Sequence, residues 1–313
     1  MLLYADDIVL VANSAENLQA MLNKMHEWCK PWRVLINCEK SKVMHFRKGR
    51  AERSDHQFTV GDNQLETVDS YKYLGIILHD KHDFSYNCES LSKGAGRALG
   101  SVISKIHCMK NCGFKTFQKL YNSCVVPILD YSASVWGFKH FQAADSVQNR
   151  AIRYYLGVHR FTPKLALLGE TGWIPSTYRR WICIIRYWNR LVKLNDNRIT
   201  KRVFNKDYQN SNIVNNWCNE VKTIMTKLDL ITHFNNKVTV DMDYVKSKIG
   251  EYYAHIWKSD YEKVPKLRTY KTFKTQFSCE NYLSLNLKRN RNGKVCRGIS
   301  RPNTLYNMSN GIN

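Results

Sequence analysis

The chain has 313 residues, of which 43% are hydrophobic and 12% aromatic, which excludes a protein that is disordered throughout. It carries 48 Lys and Arg against 26 Asp and Glu, and the net charge of +22 favours a polyanionic partner, most commonly nucleic acid. A merely soluble basic protein or one attracted to anionic lipid would share this charge. No apolar run approaches the roughly 18 to 20 residues of a membrane span, and no basic residue precedes the apolar start, as a secretory signal requires. Ten dispersed cysteines are typical of reduced thiols. We expect an intracellular protein, nuclear or cytoplasmic, that is neither secreted nor in a membrane.

Two adjacent acids, Asp6 and Asp7, stand between short β-prone runs at residues 2–4 and 8–12. Two such runs that meet at a polar turn predict a hairpin, and here its tip carries carboxylates. Hard oxygen ligands of this kind suit Mg²⁺. The pattern therefore indicates a site that holds divalent ions for phosphoryl or nucleotidyl transfer.

The next 70 residues alternate helix and strand patterns. Ser14 is placed to cap a helix that Pro31 ends, and its apolar residues recur at i, i+3, i+4 and i+7, namely Leu18, Met21, Leu22, Met25 and Trp28. Short strands are predicted at residues 34–36, 43–46 and 71–78, and a hairpin is predicted around residues 61–63. This order is typical of an α+β domain.

From about residue 86 the pattern is helical, with further helices predicted at residues 114–126, 143–156 and 176–194. The last of these has Trp181 and Trp188 on its apolar face, which we expect to be a packing surface. A polar stretch at residues 205–219 is expected to link this region to helices at 221–230 and 244–257, followed by a basic tail from residue 263. The predicted fold class is α+β, mainly α.

Three motifs follow one another in a defined order. The Tyr-Ala-Asp-Asp sequence at residues 4–7 has the Tyr/Phe-x-Asp-Asp form, an Asn-x-x-Lys segment ends at Lys40, and a Tyr-Leu-Gly sequence stands at residues 73–75. In this order they resemble the reverse transcriptases of non-LTR (LINE-type) retrotransposons. The resemblance continues into residues 148–153 and 169–175, so that it covers most of residues 1–200.

This resemblance implies an organisation in three parts. Residues 1–85 would be part of a palm with the primer grip, residues 86–205 a helical thumb-like region, and residues 206–313 a C-terminal helical region with a basic tail. A complete palm of this family also carries a catalytic Asp ahead of the acidic hairpin, and this sequence has no residues there. We therefore expect a fragment of an RNA-directed DNA polymerase that is inactive as an isolated chain.

The resemblance also assigns roles to individual residues. Asp6 and Asp7 would be ligands of catalytic Mg²⁺ or Mn²⁺, which we do not expect this fragment to hold tightly. Lys40 would lie near the incoming dNTP as a proton donor or charge stabiliser, unless it is an ordinary surface lysine. Tyr73, Leu74 and Gly75 would shape the primer grip, unless they end an ordinary buried strand. The partners would be an RNA template and a DNA primer.

Basic residues of the predicted helices are candidates for contacts to nucleic-acid phosphates: Arg97, Lys105, Lys110, Lys115, Lys119, Arg150, Arg153, Arg179, Arg180, Arg186 and Arg190. Four aromatic side chains lie among them and could stack on bases: Tyr154, Tyr155, Trp181 and Trp188. For the two tryptophans we expect a place in the core instead. An alternative function is therefore a basic module that binds RNA or RNA–DNA hybrid without catalysis. A structural or protein-interaction domain is a third alternative, but it leaves the order of the motifs unexplained.

Overall fold

The computed structural model describes residues 1–47, 52–109, 112–214 and 216–284. They form two compact units, Met1–Asn87 and Cys88–Asn313. The fold is α+β and mainly α, as predicted. Lys110 and the basic segment 288–294 lie outside the described residues. Within the described ranges, no helix combines the length and the apolar character that crossing a membrane requires.

The first unit contains one long helix and pairs of short strands. In chain order its elements are β1 (Leu2–Tyr4), β2 (Asp7–Val9), α1 (Ala15–Cys29), β3 (Lys42–Val43), β4 (Thr59–Val60), β5 (Asn63–Gln64), β6 (Glu66–Thr67), β7 (Ser70–Tyr73) and β8 (Ile76–His79). β1–β2, β4–β5 and β7–β8 are antiparallel hairpins, and β3 pairs with β6 in parallel. A small core lies beneath α1 and consists of Val43, Phe58, Val60 and Leu65.

The helix predicted after the first hairpin is confirmed. The Ser14 side chain accepts a hydrogen bond from the backbone N–H of Asn17, which caps α1. Leu18 and Leu22 pack against the small core as predicted. Trp28 does not lie on the buried face, since 58% of its surface is exposed. The small core does not extend to Trp28, whose ring centroid instead lies 6.1 Å from that of the exposed Trp32.

Three of the strand predictions are wrong in extent or in kind. Residues 34–36 form no strand, and Leu35 is 94% exposed because it has no sheet to pack against. Only Lys42–Val43, at the start of the run predicted at 43–46, is extended and paired. Residues 71–78 form a hairpin and not one strand, because Leu74 and Gly75 both have positive φ and reverse the chain.

The second unit is helical. Its helices, the first of which begins in the first unit, are α2 (Ser85–Cys108), α3 (Phe114–Leu120), α4 (Val126–Leu129), α5 (Ala133–Trp136), α6 (Gln142–Leu156), α7 (Lys164–Thr171), α8 (Ser176–Lys193), α9 (Ile199–Gln209), α10 (Trp217–Lys227), α11 (Ile231–Asn235), α12 (Met242–Glu262) and α13 (Arg268–Lys271). The helix predicted at 114–126 widens into a π-helical turn at Tyr121–Val125. Pro127 follows this turn, and because proline lacks an N–H it cannot continue the regular hydrogen-bond pattern.

One hydrophobic core cluster of this unit is centred on α8. Trp181 and Trp188 are buried in it, which confirms that they are packing residues. The polar stretch at 205–219 differs from the predicted linker, since it contains the end of α9 and the start of α10. Its polar side chains serve as caps: the Asn216 side chain accepts from the Asn219 N–H and donates to the Asp207 carboxylate at 2.6 Å.

Helix α7 is held by residues far along the chain. The Trp257 indole N–H donates to the backbone oxygen of Leu165 at 2.9 Å. The Tyr282 hydroxyl bonds the carboxylate of Glu170, and the Glu280 N–H donates to the Glu170 carbonyl at 2.9 Å. The motif at residues 169–175 is thus fastened by the C-terminal part of the described chain.

Candidate functional site

The first hairpin has the acidic tip that the sequence predicts. Tyr4 is paired with Asp7 and Leu3 with Ile8, which leaves Ala5 and Asp6 as a two-residue turn. Ala5 has φ +51°, the left-handed conformation that such tight turns need at one or both central positions. The turn therefore places Asp6 at the tip and Asp7 at the first position of β2.

Both carboxylates are available to a cation. Asp6 and Asp7 are exposed, and within the described residues neither side-chain carboxylate makes a hydrogen bond or an ion pair. Their oxygens are the hard donors that Mg²⁺ prefers. No third His, Cys, Asp or Glu joins them in a group that could hold a metal ion, within the part of the chain that the structure describes. The donors fit magnesium in kind, but two carboxylates supply only part of a two-metal site.

The rest of this hairpin is exposed as well. Leu3 is 63%, Tyr4 64% and Ile8 38% exposed, and within the described residues β1 and β2 form a sheet of two strands. A two-stranded hairpin is marginally stable in water without a further packing surface. The position of the two carboxylates is therefore supported by few contacts in these residues.

The Asn-x-x-Lys segment forms a turn that orients Lys40. The Asn37 side-chain oxygen accepts from the Lys40 N–H at 3.0 Å, and the Asn37 carbonyl accepts from the Ser41 N–H at 2.9 Å. This side-chain bond is the reason for the spacing, because an Asn amide can bond the backbone a few residues on. The Tyr71 hydroxyl donates to the Lys40 carbonyl at 2.9 Å. The Lys40 ammonium is left exposed to solvent.

The Tyr-Leu-Gly sequence forms the end of the β7–β8 hairpin. Tyr73 is paired with Ile76, and the two turn residues Leu74 and Gly75 have φ of +45° and +82°. Gly75 is thus needed for a left-handed backbone. Tyr71, which the sequence analysis did not single out, brings this hairpin to the Lys40 turn. No hydrogen bond or ion pair in the described residues joins either of them to Asp6 or Asp7.

Leu74 is the strained residue of this turn. A β-carbon disfavours the left-handed region by roughly 1–2 kcal/mol, and Asn followed by Gly is the preferred pair when both central residues have positive φ. We expect Leu74→Asn to stabilise the protein by about 1 kcal/mol. The measurement is the urea midpoint of the variant against the original chain. A lower midpoint would show that the contacts of the Leu74 side chain outweigh the strain.

The arginines predicted to bind phosphates occupy three kinds of environment. Arg97, Arg150 and Arg186 are exposed on α2, α6 and α8. Arg153 is half-buried on α6, where one of its terminal nitrogens donates to the Thr162 carbonyl at 3.3 Å. Within the described residues, none of these four side chains is engaged in an ion pair.

The side chains of Arg179 and Arg180 form hydrogen bonds within the protein. Arg179 bonds the Asp130 carboxylate through two nitrogens, and a third donates to the Gln148 side chain at 2.9 Å. Burial alone would lower the pKa of Arg179, but the Asp130 carboxylate raises it above its usual value. Arg180 is completely buried, and its guanidinium donates hydrogen bonds to the Ser176 hydroxyl and the Lys139 carbonyl. The prediction that Arg180 contacts phosphates is therefore wrong.

Residues 1–78, which include the acidic hairpin, the Lys40 turn and the β7–β8 hairpin, match the family model described as reverse transcriptase (RNA-dependent DNA polymerase). The protein named "Probable RNA-directed DNA polymerase from transposon BS" of Drosophila melanogaster is 24% identical over 159 residues, which cover 48% of this chain and 18% of that protein. The RNA-directed DNA polymerase from mobile element jockey of Drosophila funebris is 28% identical over 140 residues, which cover 43% of this chain and 15% of that protein.

A transposon-derived protein of Caenorhabditis elegans is 28% identical over 135 residues, covering 43% of this chain and 48% of that protein. The chain thus spans less than half the length of these relatives. No solved structure matches it. The resemblance to the reverse transcriptases of non-LTR retrotransposons, predicted from the motifs, is confirmed over part of the chain.

Proposed function

We propose that these 313 residues are part of an RNA-directed DNA polymerase of a non-LTR retrotransposon. In the proposal, residues 1–85 contribute to the palm and primer grip, residues 86–205 form a thumb-like region, and residues 206–313 follow it as a C-terminal helical region. The observation that carries the proposal is the exposed acidic turn of Asp6 and Asp7, which lies within the segment that matches the family.

Each motif has a task in this proposal. Asp6 and Asp7 supply carboxylate oxygens to Mg²⁺ or Mn²⁺; when bound, the two ions activate the primer 3′-hydroxyl and neutralise the leaving pyrophosphate. Lys40, whose backbone is fixed by Asn37 and Tyr71, offsets charge on the triphosphate of the incoming dNTP. The turn at residues 73–75 supports the end of the primer.

The RNA template and the DNA primer meet the basic side chains of the helical unit. Arg97, Arg150, Arg153 and Arg186 have donors available for phosphate oxygens, as described above. Arginine suits this task because its planar guanidinium donates two parallel hydrogen bonds to a phosphate. We assign Arg179 to the packing of α8 through Asp130, and not to the nucleic acid.

We predict that a polypeptide of these 313 residues alone extends no primer above background with Mg²⁺ or Mn²⁺. A two-metal site needs more ligands than Asp6 and Asp7 provide. The measurement is incorporation of labelled dNTP on an RNA template by the purified protein, together with the variants Asp6→Ala and Asp62→Ala. Asp62 is the matched control, since it is an exposed acid in the turn of the β4–β5 hairpin.

Incorporation that Asp6→Ala abolishes and Asp62→Ala preserves would overturn the predicted inactivity and would support Asp6 as a metal ligand. Incorporation that neither variant changes would contradict the role of Asp6 as well.

A second candidate function is a basic module that holds RNA or RNA–DNA hybrid without chemistry. The exposed arginines and the net charge of +22 favour it. Such a module binds nucleic acid equally well with and without Mg²⁺, and equally well after Asp6→Ala. Its affinity falls by orders of magnitude between about 50 and 200 mM salt, because phosphate contacts dominate.

A further inference from the structure

The helical unit contains a groove with a strongly basic wall. It has a volume of about 650 Å³ and lies between the C-terminal ends of α2 and α6 and the loop that follows α6. Arg150, Arg153 and Arg160 form its cationic wall, and Ile103, Val158 and the ring of Tyr154 form its apolar part. We call this the arginine groove.

Within the described residues, no acidic side chain neutralises the cationic wall. No acidic side chain lines the groove, and none of its three arginines takes part in an ion pair in the described residues. The Nε of Arg153 is buried and has no hydrogen-bond partner among the residues that the structure describes. A buried donor without an acceptor is destabilising. The side chains of Arg150 and Arg160 are exposed, so their donors are the ones that an anionic oxygen in the groove would meet.

The ends of the two helices do not cancel this charge. A helix C-terminus carries roughly −0.5 elementary charge, so α2 and α6 together offset about one of the three guanidinium charges. The Arg153 carbonyl in the last turn of α6 already accepts two hydrogen bonds. Their donors are the backbone N–H groups of Val158 and of Gly157, which has φ +65°. About two positive charges remain for a ligand.

The apolar part of the groove suits a base. The Tyr154 ring meets the imidazole of His107 edge to face, with ring centroids 5.4 Å apart. Grooves that bind single strands combine backbone-tracking cations with aromatic side chains on which bases pack. The groove volume is also that of a site for a small ligand, the size of a nucleotide unit.

We propose that the arginine groove binds the phosphodiester backbone of a single-stranded segment of nucleic acid, with a base against Tyr154. This inference rests on the proposed function, because it names where in the helical unit the nucleic acid is held. It adds Arg160 and His107, which the sequence analysis did not single out, to Arg150 and Arg153.

The test compares two double variants with equal loss of charge. Arg150→Gln with Arg160→Gln removes two exposed cations of the groove, whereas Arg202→Gln with Lys206→Gln removes two exposed cations of α9. Binding of a fluorescent single-stranded RNA of about 20 nucleotides is followed by anisotropy over a salt series. We expect the groove variant to bind at least about fivefold more weakly, with a salt slope reduced by about 1.4, while the α9 variant stays close to the original chain.

The outcomes separate the two proposals. If the original chain binds RNA and both variants weaken binding equally, the arginine groove is not the binding site, while the proposed function stands. If the original chain binds no nucleic acid at any salt concentration, both are wrong. If about 1 mM inorganic phosphate displaces the RNA from the original chain, the groove is a site for free phosphate and not for a strand. Circular dichroism of each variant checks that the helical content is unchanged.

Discussion

Replacing Gly172 by alanine is expected to destabilise the second unit by about 3 kcal/mol. Gly172 has φ +66°, which costs an alanine roughly 1–2 kcal/mol. The added Cβ would stand 2.7 Å from the backbone nitrogen of Cys279, far inside van der Waals contact. The backbone cannot easily give way there, since a β-bridge joins Thr171 to Cys279 and the Glu280 N–H is bonded to the Glu170 carbonyl. Overpacking of this kind adds roughly 1–3 kcal/mol.

The measurement is the free energy of unfolding from urea titration, with Gly250→Ala as the control. Gly250 lies inside α12, and a Cβ added there would meet no atom within 4 Å. Alanine is the better helix former by about 0.5–1 kcal/mol, so the same chemical change should raise stability at that position. Equal midpoints for the two variants would contradict the close approach at Gly172.

Arg180→Met is expected to cost about 3 kcal/mol, although it removes a buried charge. The Arg180 guanidinium donates to the main-chain carbonyls of Gly137 and Lys139 and lies over the rings of Trp136 and Phe141. Burial lowers the pKa of Arg180, because the charged guanidinium is less stable in this buried environment than in water. Replacing a buried charged residue by an apolar one raises stability when its polar partners are replaced by apolar residues as well. Here the buried carbonyl of Gly137 would lose a donor, at about 1–3 kcal/mol, and the partly buried carbonyl of Lys139 would lose one at a smaller cost.

The control for this prediction is Arg190→Met on the same helix. Arg190 is exposed, so the change should stay within about 0.5 kcal/mol of the original chain. Thermal unfolding of both variants by circular dichroism at 222 nm measures the difference. An Arg180→Met variant as stable as the control would mean that the freed carbonyls find other donors.

Local patterns predicted the elements that depend on nearby residues. The acidic hairpin follows from two β-prone runs around a polar pair, and the cap of α1 follows from Ser14 alone. Helix α8 was predicted within a residue of its observed end, since its aromatic stripe keeps the helical period over 18 residues. The turn at residues 74–75 was missed because Leu74 is an unusual residue at positive φ.

What could not be predicted depends on partners far along the chain. Arg179 and Arg180 have the same side chain as the exposed Arg186, and their separation from solvent comes from Asp130 and from the carbonyls of residues 137 and 139. Arg179 and Arg186 lie on the same side of α8, so the helical period does not distinguish these two. Arg180 is one turn before Ile184 and beside the apolar face, so its position on the helix already indicated burial. The arginine groove likewise requires the end of α2 to lie beside the end of α6, nearly 50 residues later. Its members are visible as basic residues, but their proximity is not.

The fastening of α7 by distant residues affects how the protein is made. Leu165 receives its bond from Trp257, which is 92 residues later, and Glu170 receives one from Tyr282, 112 residues later. At roughly 5–20 residues per second of synthesis, α7 emerges about 5 to 20 seconds before these partners exist. During that interval α7, whose residues Ala166, Leu167 and Leu168 are buried in the folded unit, can pack against α6 but not yet against α12. Helix α7 of the nascent chain thus lacks these two hydrogen-bond partners until residues 257 and 282 have been synthesised.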